Sequence, residues 1–321
     1  MKVINLSEPY DHQLIEPGPV ILALGFFDGV HRGHQRVIRA AKKVAQEKNA
    51  KLAVMTFDRF PKIAYQGLDP LKIRYLTTTK RKLALFEQLG ADLAYVVEFN
   101  EKLVPMLPQE FVDKYIIALH AIGAVAGFDF TYGKPEIANM KTLPDYAQGR
   151  FEVFEVPELT EDAVKVGTTQ IKHLLDQGKI SETNLLLGYP FETTGPIVHG
   201  QARGRKLGFP TINVETDAQQ KLPALGVYAV KVQIGTAWFD GMASVSHNET
   251  FGPQQEVTVE INLFDVHQDL YGQVARVQWF EYLRPSFKFT GAQALVDQMK
   301  KDESQSRELL LAVTPCESLR K

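Results

Sequence analysis

The first half of the chain alternates short apolar runs with amphipathic segments. The apolar runs are nearly continuous, as in strands covered on both faces of a parallel sheet, and they span residues 19–26, 51–57, 92–99 and 121–128. A fifth strand is predicted at 151–156. Helices are predicted where apolar positions follow the helical period, at 34–48, 78–89, 108–120 and 168–178. This alternation predicts a doubly wound, Rossmann-like α/β domain.

The second half of the chain changes period. Apolar and polar residues alternate there, as in half-buried antiparallel strands, at 226–234, 257–264 and 274–283. Thr290 and Gln293 form the pattern of a capping box before an amphipathic C-terminal segment at 294–311. An antiparallel β-barrel with a terminal helix is the simplest arrangement of these elements.

Composition narrows the class of protein. The 321 residues suffice for two domains, and the change of period places them at 1–183 and 184–321. A net charge of −2 lacks the basic excess of a general nucleic-acid surface. The single cysteine, Cys316, indicates a reducing compartment, and no segment has the pattern of a signal peptide or a membrane span. We expect a cytoplasmic protein that binds neither nucleic acid nor membrane, and its oligomeric state is not predicted.

The stretch ALGFFDGVHRGHQRVI, residues 23–38, carries two histidines where a predicted strand leads into a helix. Open α/β sheets bind ligands beyond the carboxyl ends of their strands, and a helix N-terminus there favours a phosphate. His31 and His34 could donate hydrogen bonds to a phosphate during in-line displacement, while Gly29 and Gly33 allow a tight turn. A capping turn with one buried and one exposed histidine is the alternative. A zinc site is less favoured, because the pair lacks further ligands at the usual spacing.

A basic, glycine-containing stretch, ARGRKLGFPTIN, covers residues 202–213. Such a loop can wrap a polyphosphate, with charge from Arg203, Arg205 and Lys206. The side-chain oxygens of Thr211 and Asn213 suit Mg²⁺, which prefers oxygen ligands. A solvated basic turn is the alternative.

Glu260 lies in the alternating stretch VTVEINLF, residues 257–264. Alternation puts it on the face opposite Val259 and Ile261. If these two residues form the outer packing layer, Glu260 points into the mouth of the barrel, where a carboxylate could take the proton of an attacking alcohol. An exposed strand glutamate is the alternative.

In order along the chain, these motifs resemble the bifunctional riboflavin kinase/FAD synthetase family. The FMN adenylyltransferase module of that family is similar to GFFDGVHRGH (25–34), GFDFTYG (127–133) and TTQIKHLLDQGKI (168–180). Its riboflavin kinase module is similar to GRKLGFPTINV (204–214), GVY (226–228), VEINLFDV (259–266), DLYG (269–272) and LRPSFKF (283–289). The ordered set spans nearly the whole chain and is far more specific than any single motif.

For the N-terminal half, the resemblance implies a nucleotidyltransferase domain that converts FMN and ATP to FAD and pyrophosphate. His31 and His34 would stabilise the α-phosphoryl group under attack. Contacts to ATP would come from Gly25, Phe26, Asp28, Gly29, Gly33, Thr168, Thr169 and Lys172. Residues near the flavin would be Phe128, Asp129 and Phe130, although an aromatic cluster could equally belong to a core.

For the C-terminal half, the resemblance implies phosphorylation of riboflavin to FMN by a second ATP. Glu260 would be the general base on the ribityl 5′-hydroxyl, and Thr211 with Asn213 would hold Mg²⁺. ATP contacts would come from Arg203, Arg205, Lys206 and Gly208, and flavin contacts from Arg284, Lys288 and Phe289. Surface salt bridging is the alternative for Arg284 and Lys288. The expected substrates are riboflavin, FMN and ATP, and the expected cofactor is Mg²⁺.

The chain departs from the family pattern in both halves. In the N-terminal half, Phe60 replaces the histidine of a Pro-His-Pro motif, and Gly167, Thr168 and Lys172 replace two serines and an arginine of the third motif. In the C-terminal half, an asparagine, a proline and a common histidine are replaced by Ser244, Glu249 and Asn262. Because lysine lacks the fork of arginine that suits phosphate, these changes bear more on adenylyl transfer than on the kinase. Two alternatives therefore stay open: a riboflavin kinase with a weak adenylyltransferase, and a flavin-binding regulatory or RNA-associated paralogue without turnover.

Overall fold

The computed structural model describes residues 1–61, 63, 67–161, 164–200, 204, 208–247, 257–266, 268–287, 289–313, 315 and 319. Contacts within the chain divide it into two units. The first comprises Met1–Ile73 and Thr77–Thr168, and the second comprises Arg74–Leu76 and Thr169–Lys321. The domain boundary expected between residues 183 and 184 stays a prediction.

The first unit is built on a parallel sheet of six strands. The strands are β1 (Lys2–Leu6), β2 (Val20–Leu24), β3 (Lys51–Phe57), β4 (Leu93–Val97), β5 (Ala121–Gly127) and β6 (Glu152–Val156). They lie in the order β1-β4-β3-β2-β5-β6, and all neighbours are parallel. The strands β2 to β5 are almost entirely buried, which accounts for their continuous apolar runs. The predicted Rossmann-like sheet is confirmed.

Helices alternate with these strands, and all but the last of them were predicted. They are α1 (Arg32–Glu47), α2 (Thr79–Gln88), α3 (Pro108–Val112) and α4 (Leu143–Ala147). Helix α1 buries the positions that its helical period selects, namely Val37, Ile38, Ala41 and Ala45. The helix predicted at 108–120 is shorter than expected, because α3 passes into a π-helical turn at Asp113–Ile117.

Two stretches of β-structure in the first unit were not predicted from periodicity either. Strand β1 lies at the edge of the sheet, and only Ile4 and Leu6 of its residues are buried. A short antiparallel pair is formed by β7 (Thr160–Glu161) and β8 (Val164–Lys165). Both stretches are too short, or too little buried, to carry a recognisable apolar pattern.

The second unit contains a closed barrel in which all neighbouring strands are antiparallel. Helices α5 (Thr168–Asp176) and α6 (Ile180–Leu187) precede it, and α7 (Ala292–Leu311) follows it. Its strands are β9 (Glu192–Val198), β10 (Ile212–Val214), β11 (Gly226–Ile234), β12 (Ala237–His247), β13 (Val257–Leu263) and β14 (Val274–Arg284), in the order β10-β13-β12-β11-β14-β9. The predicted antiparallel barrel with a terminal helix is confirmed.

Two details of the second unit correct the sequence analysis. The capping box at Thr290 and Gln293 is wrong: α7 has Gly291 as its N-cap, and no side chain caps it. Strands β9, β10 and β12 were not predicted, and in β12 three consecutive buried residues at 241–243 interrupt the alternation. None of the helices in the described ranges is long and apolar enough to cross a membrane.

Candidate functional site

The order of the strands indicates where the first unit can hold a ligand. After β2 the chain adds β3 and β4 on one side and then β5 and β6 on the other, so the winding reverses between β2 and β5. These two strands pair at Leu24 and Ala126, and their carboxyl ends lead into the first and second motifs. Open α/β sheets bind ligands in the crevice at such a switch point. The two motifs therefore begin at neighbouring positions, at the carboxyl ends of adjacent strands.

The loop after β2 has an unusual backbone conformation. Phe27, Gly29 and Val30 have positive φ values of 55°, 81° and 37°. Positive φ is uncommon for residues other than glycine and strained for a β-branched residue. Hydrogen bonds hold the turn, since the amide of Gly29 donates to Oγ1 of Thr77 at 3.0 Å and the amide of Thr77 donates to Oδ1 of Asp28 at 3.2 Å. These hydrogen bonds stabilise the loop that precedes the two histidines.

His31 and His34 lie together at the start of α1. Their rings stack with 3.6 Å between centroids and 21° between planes. His31 is the N-cap of the helix, and its Nδ1 accepts a hydrogen bond from the amide of His34 at 3.4 Å. Because Nδ1 is the acceptor, a neutral His31 carries its proton on Nε2. This ring therefore presents an N–H donor beside the positive end of the helix.

Burial keeps both imidazoles neutral near pH 7. It lowers the pKa of His31 to about 4. The pKa of His34 lies well below its usual range, because of burial first and then the neighbouring His31 and Lys82. Neither residue is exposed, so the alternative with one exposed histidine is wrong, although His31 does cap the helix. Nδ1 of His34 is buried and makes no hydrogen bond to any described residue.

Gly25 and Gly33 provide space for the aromatic rings of this loop. A β-carbon at Gly25 would lie 2.7 Å from the ring of Phe27, and one at Gly33 would lie 3.2 Å from the ring of His31. The first distance is shorter than real β-carbon contacts, so a side chain at Gly25 would displace Phe27. Gly25 is thus required by the ring of Phe27, and Gly33 leaves room for the ring of His31.

The second motif occupies the loop after β5. Phe128 is 40% exposed, and the ammonium group of Lys165 lies 4.8 Å from the centre of its ring. Asp129 is also exposed, whereas Phe130 is half-buried and packs against the core of the first unit. Phe130 therefore belongs to the core, which was the alternative for this aromatic cluster. Phe128 and Asp129 are the exposed residues of the motif.

The third motif forms the start of α5. The hydroxyl of Thr168 donates to the carbonyl of Asp28 at 3.2 Å, which joins this segment to the loop after β2. Further along α5, Thr169 is exposed and Lys172 is half-buried. A β-carbon at Gly167 would meet only ordinary contacts, the nearest 3.8 Å away. The serine of the family pattern would therefore fit at this position.

The sequence analysis missed Lys82 on α2. This lysine is 2% exposed, and its Nζ donates to the carbonyl of Phe26 at 3.1 Å and to Oγ1 of Thr56 at 3.0 Å. A signal for it was present, because Lys82 precedes the buried Leu85 and Phe86 by three and four residues and therefore shares their helix face.

Phe60, which replaces a family histidine, packs against the same loop. Its ring lies 5.3 Å from that of Phe26, with 47° between the planes. The ammonium group of Lys82 lies 4.2 Å from the centre of the Phe26 ring. The substitution thus adds an aromatic contact to the loop that leads to the histidines.

In the second unit, a row of polar residues crosses three strands of the barrel. Asn213 of β10 pairs with Glu260 of β13, and Glu260 pairs with Ser244 of β12. Residues directly opposite each other on antiparallel strands project from the same face, so the three side chains are neighbours. A β-carbon at Gly200 would lie 2.0 Å from Nδ2 of Asn213, so a side chain at this position would displace the amide.

The expected orientation of Glu260 is wrong. Val259 and Ile261 are 2% and 0% exposed, so they form the buried layer and not the outer one, whereas Glu260 is exposed. The alternation is as predicted but the two faces are reversed, because the apolar side chains take the buried face and leave the other to the carboxylate. Glu260 nevertheless stays next to Asn213, on the face that solvent can reach.

Thr211 lines a cavity of about 60 Å³ beside this row, together with segment 268–271. Asn262, which replaces a common histidine, is 6% exposed and donates from Nδ2 to the carbonyl of Pro210 at 2.8 Å. This hydrogen bond links β13 to the residue that precedes Thr211. Asn262 therefore supports the backbone at the start of β10.

Arg284 is held by the terminal helix of the same unit. Its Nε and Nη2 donate to the carboxylate of Asp302 at 3.0 Å and 2.7 Å, and the two side chains are 14% and 4% exposed. The guanidinium also lies 4.7 Å and 5.6 Å from the ring centres of Phe287 and Phe289. Arg284 thus forms a largely buried ion pair and not a surface salt bridge, and two aromatic rings pack against its guanidinium.

The remaining predicted residues of the second unit divide into two groups. Gly208 is exposed and has φ of 84°, a conformation that suits glycine. Outside the described residues lie Arg203, Arg205, Lys206 and Lys288, as well as Glu249.

Comparison with known proteins identifies the family. The family model for FAD synthetase matches residues 15–170, and the family model for riboflavin kinase matches residues 187–310. A protein of Listeria monocytogenes described as a bifunctional riboflavin kinase/FMN adenylyltransferase is 41% identical over 307 residues, which cover 96% of this chain and 98% of its own length. The chain belongs to this family.

Another member of the riboflavin kinase/FMN adenylyltransferase family, from Bacillus subtilis, is 40% identical over 310 residues, covering 95% of this chain and 97% of its own. A crystal structure described as a macrolide-efflux protein from Streptococcus pneumoniae has the same fold, with a TM-score of 0.87 and 34% identity over 96% of this chain and 99% of that one. That description differs from the family's, but the shared architecture extends over both units.

Proposed function

We propose that this chain phosphorylates riboflavin to FMN in its second unit and adenylylates FMN to FAD in its first unit, with ATP as the donor in both reactions. The observation that carries the proposal is the stacked, neutral His31–His34 pair at the N-terminus of α1, beyond the strand at which the sheet reverses its winding. The product of the kinase is the acceptor of the adenylyltransferase, so the two reactions form a sequence.

In adenylyl transfer, a phosphate oxygen of FMN attacks the α-phosphorus of ATP. The bond between that phosphorus and the bridging oxygen of the β-phosphate breaks, and pyrophosphate leaves. Negative charge grows on the phosphoryl oxygens, and Nε2–H of His31 together with the first amides of α1 stabilises it. The acceptor phosphate is already ionised, so this step requires donors and no general base.

The other side chains of the three adenylyltransferase motifs would shape the site. Gly25, Phe26, Asp28, Gly29 and Gly33 form the nucleotide side of the loop after β2, in a turn that Thr77 holds. Phe128 and Asp129 are the flavin contacts, supported by their exposure on the adjacent loop, and Phe130 backs them. Thr168 is an ATP contact that also orders the turn, and Thr169 and Lys172 are ATP contacts on the family pattern.

In the kinase reaction, the 5′-hydroxyl of riboflavin attacks the γ-phosphorus of ATP and ADP leaves. Glu260 accepts the hydroxyl proton. Its exposed position beside Asn213 and Ser244 supports this role, because an incoming alcohol can reach the carboxylate. Arg284 holds Phe289 where it can contact the flavin ring, and Lys288 contributes a further flavin contact.

The residues around Glu260 fit Mg²⁺. Thr211 and Asn213 offer hydroxyl and amide oxygens, which are hard ligands of the kind that this ion takes. Among the described residues, no group of three or more His, Cys, Asp or Glu side chains could hold a metal, so nucleotide phosphates would complete the coordination. Bound Mg²⁺ supplies charge neutralisation at the phosphates. The basic stretch with Arg203, Arg205, Lys206 and Gly208 would contact the same phosphates.

We infer that the partners of this chain are small molecules, without nucleic acid or membrane, and that it works in the cytoplasm. A net charge of −2 supports the first point, and a single cysteine among 321 residues supports a reducing compartment.

One incubation tests the function and its alternatives. The purified chain is supplied with riboflavin, ATP and Mg²⁺, and FMN and FAD are separated by chromatography. We expect FMN first and FAD later. FMN without FAD would identify a kinase with an inactive adenylyltransferase, the alternative that Lys172 in place of arginine favours. Neither product would contradict the proposal and leave a flavin-binding protein without turnover.

A further inference from the structure

Among the described residues of the first unit, Lys82 is the least exposed charged side chain, and the mechanism above does not use it. Its Nζ donates to three oxygens: the carbonyl of Phe26 at 3.1 Å, Oγ1 of Thr56 at 3.0 Å and the carbonyl of Phe57 at 3.3 Å. Oγ1 of Thr56 itself donates to the carbonyl of Phe26 at 2.8 Å. Lysine is almost never fully buried, and here three neutral oxygens accept the hydrogen bonds of its ammonium group.

The three oxygens belong to the ends of two adjacent strands. Phe57 is the last residue of β3, and Phe26 follows the end of β2 and directly precedes Phe27, whose backbone is left-handed. The ammonium group therefore fixes the point from which the chain turns toward His31. Because Phe27 also packs edge-on against His34, with 5.3 Å between ring centroids, a shift at this point would move the histidine.

We propose that Lys82 is a positioning residue for adenylyl transfer, which holds the root of the loop that carries His31 and His34 at the carboxyl ends of β2 and β3. This inference rests on the proposed function of the first unit. A methionine would fill the same space without the donors, and the loop would then lose these three hydrogen bonds from α2. Misplacement of a reacting group by about 1 Å can reduce a rate by about 10²-fold.

The charge of Lys82 makes its role depend on pH. Burial lowers its pKa to about 8, while Asp28 on the loop and Asp58 after β3 act in the opposite direction, and His34 on α1 faces the same group. Above that pH the amine keeps two N–H donors for three acceptors. FAD formation should therefore fall as the pH rises through about 8.

The test uses the full chain, with FMN, ATP and Mg²⁺ as substrates and with riboflavin phosphorylation by the same preparation as an internal control. Lys82→Met should lower kcat for FAD formation by about 10²-fold, with KM for ATP and FMN changed by less than about 3-fold and the kinase rate unchanged. The matched control is Lys80→Met, which removes an exposed lysine of the same helix. Thr56→Val should give a smaller loss, because it removes one of the three acceptors.

Lys82→Arg keeps a positive charge that does not titrate, so it should restore part of kcat and abolish the fall in rate above pH 8. An unimpaired Lys82→Met, a parallel loss of kinase activity, or an unchanged alkaline profile in Lys82→Arg would each overturn the proposal. If the Lys82 variants do not fold, the wild-type pH profile and Thr56→Val test the proposal instead. Equal pH profiles for FAD and FMN formation would overturn the proposal. Absence of FAD from the wild-type reaction would instead overturn the proposed function.

Discussion

The two candidate sites differ in where they place their polar groups. In the first unit, neutral imidazoles are buried at a helix N-terminus, on a loop held in a strained conformation. In the second unit, a carboxylate and an amide lie side by side on the accessible face of a barrel whose apolar side chains face the other way. The difference matches the two nucleophiles: an ionised phosphate needs only stabilisation of growing charge, whereas an alcohol must lose a proton.

Glu260→Gln tests the candidate site of the second unit, and it should have the largest effect of the changes considered. Loss of a general base lowers a rate by about 10²–10⁴-fold, so FMN formation should nearly cease while FAD formation from supplied FMN continues. Riboflavin binding should persist, because the amide has the same shape. The matched control is Glu215→Gln, an exposed glutamate just after β10. Near-normal FMN formation by Glu260→Gln would exclude this carboxylate as the base.

Substitution of the histidine pair should affect FAD formation and spare FMN formation, the opposite of the result for Glu260. His31→Ala and His34→Ala should each lower FAD formation by about 10²–10³-fold, the effect of losing a donor to a developing charge, and leave FMN formation unchanged. Product chromatography measures both rates in one sample. His12→Ala, an exposed histidine of the same unit, is the control. If either variant of the pair kept full FAD formation, that ring would have only a structural role.

Acid should weaken the first unit through its buried histidines. His31 in the unfolded chain binds a proton below about pH 6.5, whereas the folded ring has a pKa of about 4. The unfolded state therefore binds more protons in this interval, and the free energy of unfolding falls by about 2–3 kcal/mol between pH 7 and pH 4.5 on account of this ring.

His31→Asn isolates this contribution, because asparagine can still accept the capping hydrogen bond but does not titrate. Hydrogen exchange of the α1 amides, measured at both pH values, reports the stability of the first unit. The wild type should lose about 2 kcal/mol more than the variant on acidification. Equal losses would mean that His31 is not the titrating group.

Sequence periodicity predicted the two architectures because each buries its strands in its own way. The buried strands of the parallel sheet give continuous apolar runs, and the barrel strands alternate. Side-chain orientation was predicted less well: alternation placed Glu260 opposite Val259 and Ile261, but could not say which face of the barrel would be buried. Lys82 was missed because a lysine on an apolar helix face is usually taken as an exception to the pattern, and its three acceptors come from strands far away in the sequence.

The smallest expected effect concerns the third motif, where the chain departs from its family. Lys172 offers one compact charge on a flexible stem, whereas the arginine of the family pattern can bind two phosphoryl oxygens at once. That geometry matters most when the phosphoryl oxygens rearrange, while attraction to bound ATP survives with either side chain. A serine hydroxyl at Gly167 would add a donor, and the open space around this glycine accommodates it.

We therefore expect Lys172→Arg, alone and with Gly167→Ser, to raise kcat for FAD formation a few-fold, more than it improves KM for ATP. FMN formation should not change, because the kinase reaction does not use this motif. Steady-state rates with saturating FMN measure the effect, and Lys141→Arg, an exposed lysine of the first unit, controls for the added guanidinium. A flat or lower rate in both variants, with melting temperature unchanged, would mean that lysine and glycine here form a working alternative to the family pattern.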